Sequence, residues 1–163
     1  PHVSADANRL LSRAKRRLGK GQKARALQAL GKLLEMRPDY VRVRLNAAVL
    51  QTSLGQFNAA IRNYEIAARQ YLDRGQGVKA AAVFKRILEL NPDRDEIRRQ
   101  LADLLERLDF LIDCRAQYRA LAETYKARDD MVRFYEVTDR LDELGSDDDE
   151  LPTQPEGPRV MRA

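Results

Sequence analysis

Between residues 59 and 92 the apolar positions fall into two helical stripes. Ile61, Tyr64, Ala68 and Tyr71 recur at spacings of three and four, and Ala80, Val83, Phe84, Ile87, Leu88 and Leu90 form a second, wider stripe. Gly75 and Gly77 break the chain between them, and Asn91-Pro92 stops the second. Neither helix can bury its stripe alone, so the segment needs neighbours. The same periodicity predicts helices over about 5–18, 22–36, 40–54, 59–73, 94–108, 111–127 and 131–144, which with the second central helix makes eight, joined by short connections. Ser4, Asp39, Asp93 and one of Asp129 and Asp130 are the expected helix caps. Asp109-Phe110 is a turn without glycine, for which a tighter or partly helical path is expected.

Shifted by 54 residues, the chain overlays on itself. Pro38 falls on Pro92, Gly21 on Gly75, Gly75 on Asp129, Ala14 on Ala68 and Ala68 on Ala122; Tyr64 falls on Tyr118 and Tyr71 on Tyr125. Small residues where helices touch, glycine where the chain turns and proline where a helix stops, all at one period, mark a stacked solenoid. Ala68 and Ala122 are accordingly expected at helix–helix contacts.

Within each period lies a pattern that resembles the tetratricopeptide repeat, a family of 34-residue helix–turn–helix units. Residues 7–40 supply Ala14, Gly21, Ala26, Leu30, Leu33 and Pro38; residues 41–74 supply Ala48, Gly55, Phe57, Ala60, Tyr64 and Ala67. Residues 61–94 supply Ala68, Tyr71, Gly75, Ala80, Phe84, Ile87 and Pro92; residues 95–128 supply Ala102, Leu111, Cys114, Tyr118 and Leu121. The helix at 59–73 serves as second helix of one match and first helix of the next, so the period is 54 and holds three helices. The resemblance implies an all-α, right-handed solenoid of about eight antiparallel helices over residues 1–145, followed by a separate tail at 146–163.

The charge distribution sharpens this picture. Residues 1–44 hold twelve Lys or Arg against three acids, whereas residues 129–163 hold eleven acids against four Arg. The basic end invites an acidic partner, and the acidic run Asp147–Glu150, followed by Pro152, Pro155 and Pro158, invites weak head-to-tail self-association. Nucleic acid is a weaker match, because the basic stretch at 9–25 has no aromatic residue for base stacking. Enzyme chemistry has little to build on: the one histidine is His2, the one cysteine is Cys114 at a packing position, and there is no phosphate-binding glycine loop or calcium loop. No metal, cofactor or catalytic residue is expected. No stretch of 18 apolar residues and no signal-peptide pattern is present, and a cytoplasmic protein is expected.

In the family the first helix of each pair lines a groove that holds a peptide. Carried onto this chain, the resemblance implies a surface of Asn8, Leu11, Lys15, Arg42, Leu45, Asn46 and Val49, with Arg62, Arg69 and Arg99, and beside them Glu65 and Asp103, as candidates where the overlapping matches leave the facing of the helices open. Only Asn46 matches the pattern with which some relatives clamp a terminal carboxylate. The function this implies is a non-enzymatic protein-interaction module, a scaffold or adaptor that binds a peptide or small domain of acidic character. A secretion-type or assembly chaperone and a basic module for nucleic acid or anionic surfaces are the alternatives.

Overall fold

The computed structural model describes residues 2–145, with side chains from residue 5 onward. The acidic tail, on which the head-to-tail expectation rests, lies outside the described residues. Eight helices follow one another: α1 (His2–Gly19), α2 (Lys23–Met36), α3 (Val41–Ser53), α4 (Phe57–Asp73), α5 (Gly77–Leu90), α6 (Asp95–Arg107), α7 (Leu111–Ala127) and α8 (Met131–Glu143). No strand occurs among the described residues. Helices consecutive in the chain pack against each other, and the connections are too short for any other order.

The 54-residue period is a physical repeat. The starts of α2, α5 and α8 fall 54 residues apart, as do those of α3 and α6 and those of α4 and α7. The unit is therefore α3–α4–α5, then α6–α7–α8, with α1 and α2 matching α4 and α5. Two kinds of connection separate the helices. Within a unit the turn is a Schellman cap. The N–H of Gln22, Gln56, Gln76, Phe110 and Asp130 donates to the carbonyl five residues back at 2.8–2.9 Å. The residue before each donor has positive φ: Gly21, Gly55, Gly75, Asp109 and Asp129. The expectation of a tighter or helical turn at Asp109 is thus corrected. Aspartate is among the few L-residues that tolerate this region, so the turn is the glycine turn with a different residue.

That substitution has a measurable cost. The left-handed conformation disfavours an L-residue by roughly 1–2 kcal/mol, partly offset by the greater chain entropy glycine loses on folding. Neither aspartate caps a helix from this position. Asp109→Gly and Asp129→Gly are each expected to raise stability by up to about 1 kcal/mol, read as a rise of a few degrees in a thermal melt.

Between units the connection carries Pro38 or Pro92, and an arginine from the next helix ties it down. Arg44 donates to the Pro38 carbonyl at 2.9 Å and to Asn63 Oδ1 on α4 at 3.1 Å. One period on, Arg98 donates to the Pro92 carbonyl at 3.1 Å and to Gln117 Oε1 on α7 at 3.2 Å. Asp39 and Asp93 do not cap here, contrary to the sequence expectation. Tyr40 and Arg94 hold the cap positions instead, each in a three-residue turn closed by an N–H to carbonyl bond of 3.0 Å across it. Asp130 does cap α8, accepting from the Arg133 N–H. Ser4 lies inside α1 rather than at its start.

The core divides in two. Ala7, Ala14, Ala26, Ala29, Leu30, Leu33, Val43, Ala47 and Leu50 join α1, α2 and one side of α3. A larger cluster begins at Ala48, on the other side of α3, and runs through α4 to Val137 on α8. Ala68 is fully buried and Ala122 nearly so, in keeping with their expected places at helix contacts. Among the described residues one charge is buried as well. Arg115, at the position Ile61 holds one period earlier, donates to the Leu144 carbonyl at 3.3 Å, a cation set against the C-terminus of α8.

Candidate functional site

The first face of α3 points into a groove that α5 completes. α3 and α5 both lie against α4 and run the same way, so the start of α3 sits by the end of α4 and the start of α5. Arg42, Leu45 and Asn46 line a cleft of about 670 Å3 there, opposite Tyr71, Arg74, Gln76 and Lys79. Further along, Val49, Thr52 and Ser53 line a second cleft of about 280 Å3 with Tyr64, Arg86, Glu89 and Leu90. Arg42, Leu45, Asn46 and Val49 are spaced at three, four and seven, which puts them on one face of α3. The two tyrosines are seven apart on α4 and form the floor, and Lys79 and Arg86 are seven apart on α5 and form the far wall.

Polar contacts set the character of this groove. The Lys79 ammonium stands 5.6 Å from the centre of the Tyr71 ring. Arg74 reaches back to the Asp39 carbonyl at 2.7 Å, and Lys79 donates to Gln76 at 3.2 Å. Arg86 pairs with Glu89 one turn along α5, and that carboxylate raises the guanidinium's pKa further. The lining holds four cations, Arg42, Arg74, Lys79 and Arg86, against the carboxylates Asp39 and Glu89, so the groove is positive.

The other residues expected at the surface lie elsewhere. Asn8 lines a separate cleft on α1 that Met36 closes. Leu11 is half-buried and packs against the α1–α2–α3 core. Lys15, Arg62 and Arg69 are exposed. At 3.6 residues per turn, Arg62 and Arg69 stand roughly opposite Tyr64 and Tyr71 on α4, facing away from the groove. Arg99 lies on α6, its guanidinium 5.8 Å from the centre of the Tyr118 ring and 3.8 Å from Asp103. Glu65 pairs with Arg94.

The floor and far wall escaped the sequence reading. Tyr64 and Tyr71 read as core residues, and the repeat pattern singles out neither Lys79 nor Arg86. Their matching seven-residue spacing on neighbouring helices was the signal.

Cys114 offers no nucleophile. Its side chain is fully buried, Sγ lies 3.3 Å from the Ala102 carbonyl, and burial, then the charges of Glu106 and Asp103, push the thiol up to about 11. No cluster of three His, Cys, Asp or Glu side chains that could hold a metal occurs among the described residues. No helix there is long and apolar enough to cross a membrane. A small basic cleft of about 200 Å3 lies between α1 and α2, where Arg13, Arg17, Arg25 and Lys32 surround Leu10, Gln28 and Ala29.

Two models of the tetratricopeptide repeat match the chain, one over residues 17–65 and one over residues 61–104. They overlap on α4, the helix that both halves of the pattern share. No curated protein matches the chain. Among solved structures, BtubC from P. vanneervenii is 15% identical, over 96% of this chain and 70% of that one, with a TM-score of 0.50. MamA from Desulfovibrio magneticus RS-1 is 14% identical, over 85% and 94%, with a TM-score of 0.38. YrrB, a TPR protein with an unusual peptide-binding site, is 17% identical, over 85% and 86%, with a TM-score of 0.35. At these identities the likeness concerns the fold alone. The two adjoining family matches, together spanning α2 to α6, and the repeated helix–turn–helix geometry lead to one conclusion: the chain belongs to the tetratricopeptide repeat family.

Proposed function

We propose that this protein is a non-enzymatic scaffold that holds a peptide or small domain of a partner protein in the groove between α3 and α5. Tetratricopeptide repeats are protein-interaction scaffolds, and the observation that carries the finer reading is the groove itself. Two clefts in line, an aromatic floor and a surplus of cations make a surface suited to an extended, acidic segment. Of the residues expected to bind, Arg42, Leu45, Asn46 and Val49 form this surface, and Tyr71, Lys79 and Arg86 join them. The repeat domain is taken as residues 1–145, the tail as 146–163, and the setting as the cytoplasm, where an adaptor would meet its partner.

Photo-crosslinking tests the groove. A crosslinker placed at Asn46 is expected to capture a partner that the same group at Arg62 does not. Combining Arg42→Glu, Asn46→Ala and Lys79→Glu is expected to weaken that partner's binding about tenfold or more while the helical circular-dichroism signal holds. Capture from Arg62 alone, or binding unchanged in the triple variant, would place the site elsewhere.

A second reading has its own observation. The exposed Arg9, Arg13 and Arg16 on α1, with Lys20 in the turn that follows and the basic cleft beside them, fit an anionic surface or nucleic acid contacted through phosphate. Raising the salt in the same capture experiment separates the two, since phosphate contacts weaken steeply and a partly apolar groove contact does not.

A further inference from the structure

The second unit holds a filled copy of the site that the first unit leaves open. One period beyond Arg86 is Arg140, and one period beyond Tyr64 is Tyr118. Arg140 pairs with Glu106 across from α6, as well as with Glu143 on its own helix. The Tyr118 hydroxyl donates to Asp103 Oδ1 on α6 at 2.6 Å. Both carboxylates come from the helix that corresponds to α3. In the first unit those positions are Thr52 and Val49, neither of which carries a charge, and Val49 is 56% exposed. Arg86 keeps its partner on α5, Glu89, as Arg140 keeps Glu143, but nothing on α3 supplies the second carboxylate. The cleft of about 280 Å3 lies at this place, lined by Val49, Thr52, Tyr64 and Arg86.

On the footing that the α3–α5 groove is the binding surface, we infer that this cleft is a carboxylate site: it takes acidic side chains of a partner peptide onto Arg86 and the Tyr64 hydroxyl, where Glu106 and Asp103 sit one unit later. Leu90 and Val49 beside it favour apolar residues next to those acids. A guanidinium and a phenol hydroxyl at the open end of an apolar cleft both donate, and a carboxylate accepts from both. The second unit shows that the same pair on the same scaffold is satisfied by carboxylates. The consequence is a single carboxylate site of this kind in the two complete units, because the second is closed by the chain's own acids.

The probe is a short labelled peptide alternating Glu and Leu, followed by fluorescence anisotropy, with the Lys and Leu counterpart as control. The Glu peptide is expected to bind the parent protein and the Lys peptide is not. Arg86→Gln is expected to weaken binding about tenfold or more. Importing the second unit's acids, Val49→Asp with Thr52→Glu, is expected to abolish binding while the thermal melt holds or rises. Val49→Ala with Thr52→Ala is expected to keep it.

Absence of binding to the parent, equal binding of both peptides, or unchanged binding to the acid-importing variant overturns the inference. If binding survives the imported acids but is lost in the Arg42, Asn46 and Lys79 variant, the carboxylate site falls and the groove stands. If neither variant changes it, both fall.

Discussion

Leu101→Ala is expected to destabilise the protein by about 2–5 kcal/mol, seen as a lower denaturant midpoint with little change in slope. Leu101 lies in the middle of α6, fully buried among the residues that join α3 through α8. Truncation removes the burial of its outer carbons and leaves a space that its neighbours cannot all move to fill. Those neighbours belong to helices tied by short turns on both sides, so collapse around the void is limited. α6 is also the helix through which one unit meets the next: the Gly77 backbone at the start of α5 sits against Leu104 and Leu108, so close that a Cβ there would be 3.1 Å from the Leu108 side chain. A loss below 1 kcal/mol would mean that α6 does not seal the two units as described.

Ala68→Leu is expected to cost about 1–3 kcal/mol, by the opposite route. Ala68 is fully buried on α4, the middle helix of its unit, which packs to a similar extent against α3 and α5. Added carbons at such a site have no free direction in which to push a neighbour, and relief on one side closes the space on the other. The equivalent Ala122→Leu should cost less, because Ala122 retains 7% exposure. A thermal melt of Ala68→Leu that overlays the parent would show that α4 is not held from both sides.

Most of the scaffold was legible in the sequence because its punctuation is chemical. Glycine marks three of the five tight turns, proline marks both junctions between units, and alanine marks the closest helix contacts. The two turns at Asp109 and Asp129 were misread or left open because φ is a property of the fold and aspartate permits either sign. Arg115 shows the same limit. A charge at an apolar position reads as exposed until the Leu144 carbonyl is seen beside it. The groove was legible along α3 because the family pattern assigns that face. It was illegible on α4 and α5 because a tyrosine on a buried stripe does not announce that one edge reaches solvent. The ion pairs that close the second unit needed the fold as well, since Glu106 and Arg140 are 34 residues apart and meet only because α6 and α8 flank α7.

Three helices to a unit is an odd number. A chain that turns back at every connection enters α6 running opposite to α3, so the step from one unit to the next includes a half-turn about the direction in which helices accumulate. Such a rotation exchanges the two broad sides of the array. The open groove of the first unit and its filled counterpart in the second therefore look out on opposite sides, and a ligand lying along one cannot continue into the other. True translational equivalence returns only after two units. An array lengthened by one unit would present its new groove backwards, and one lengthened by two would restore the original side.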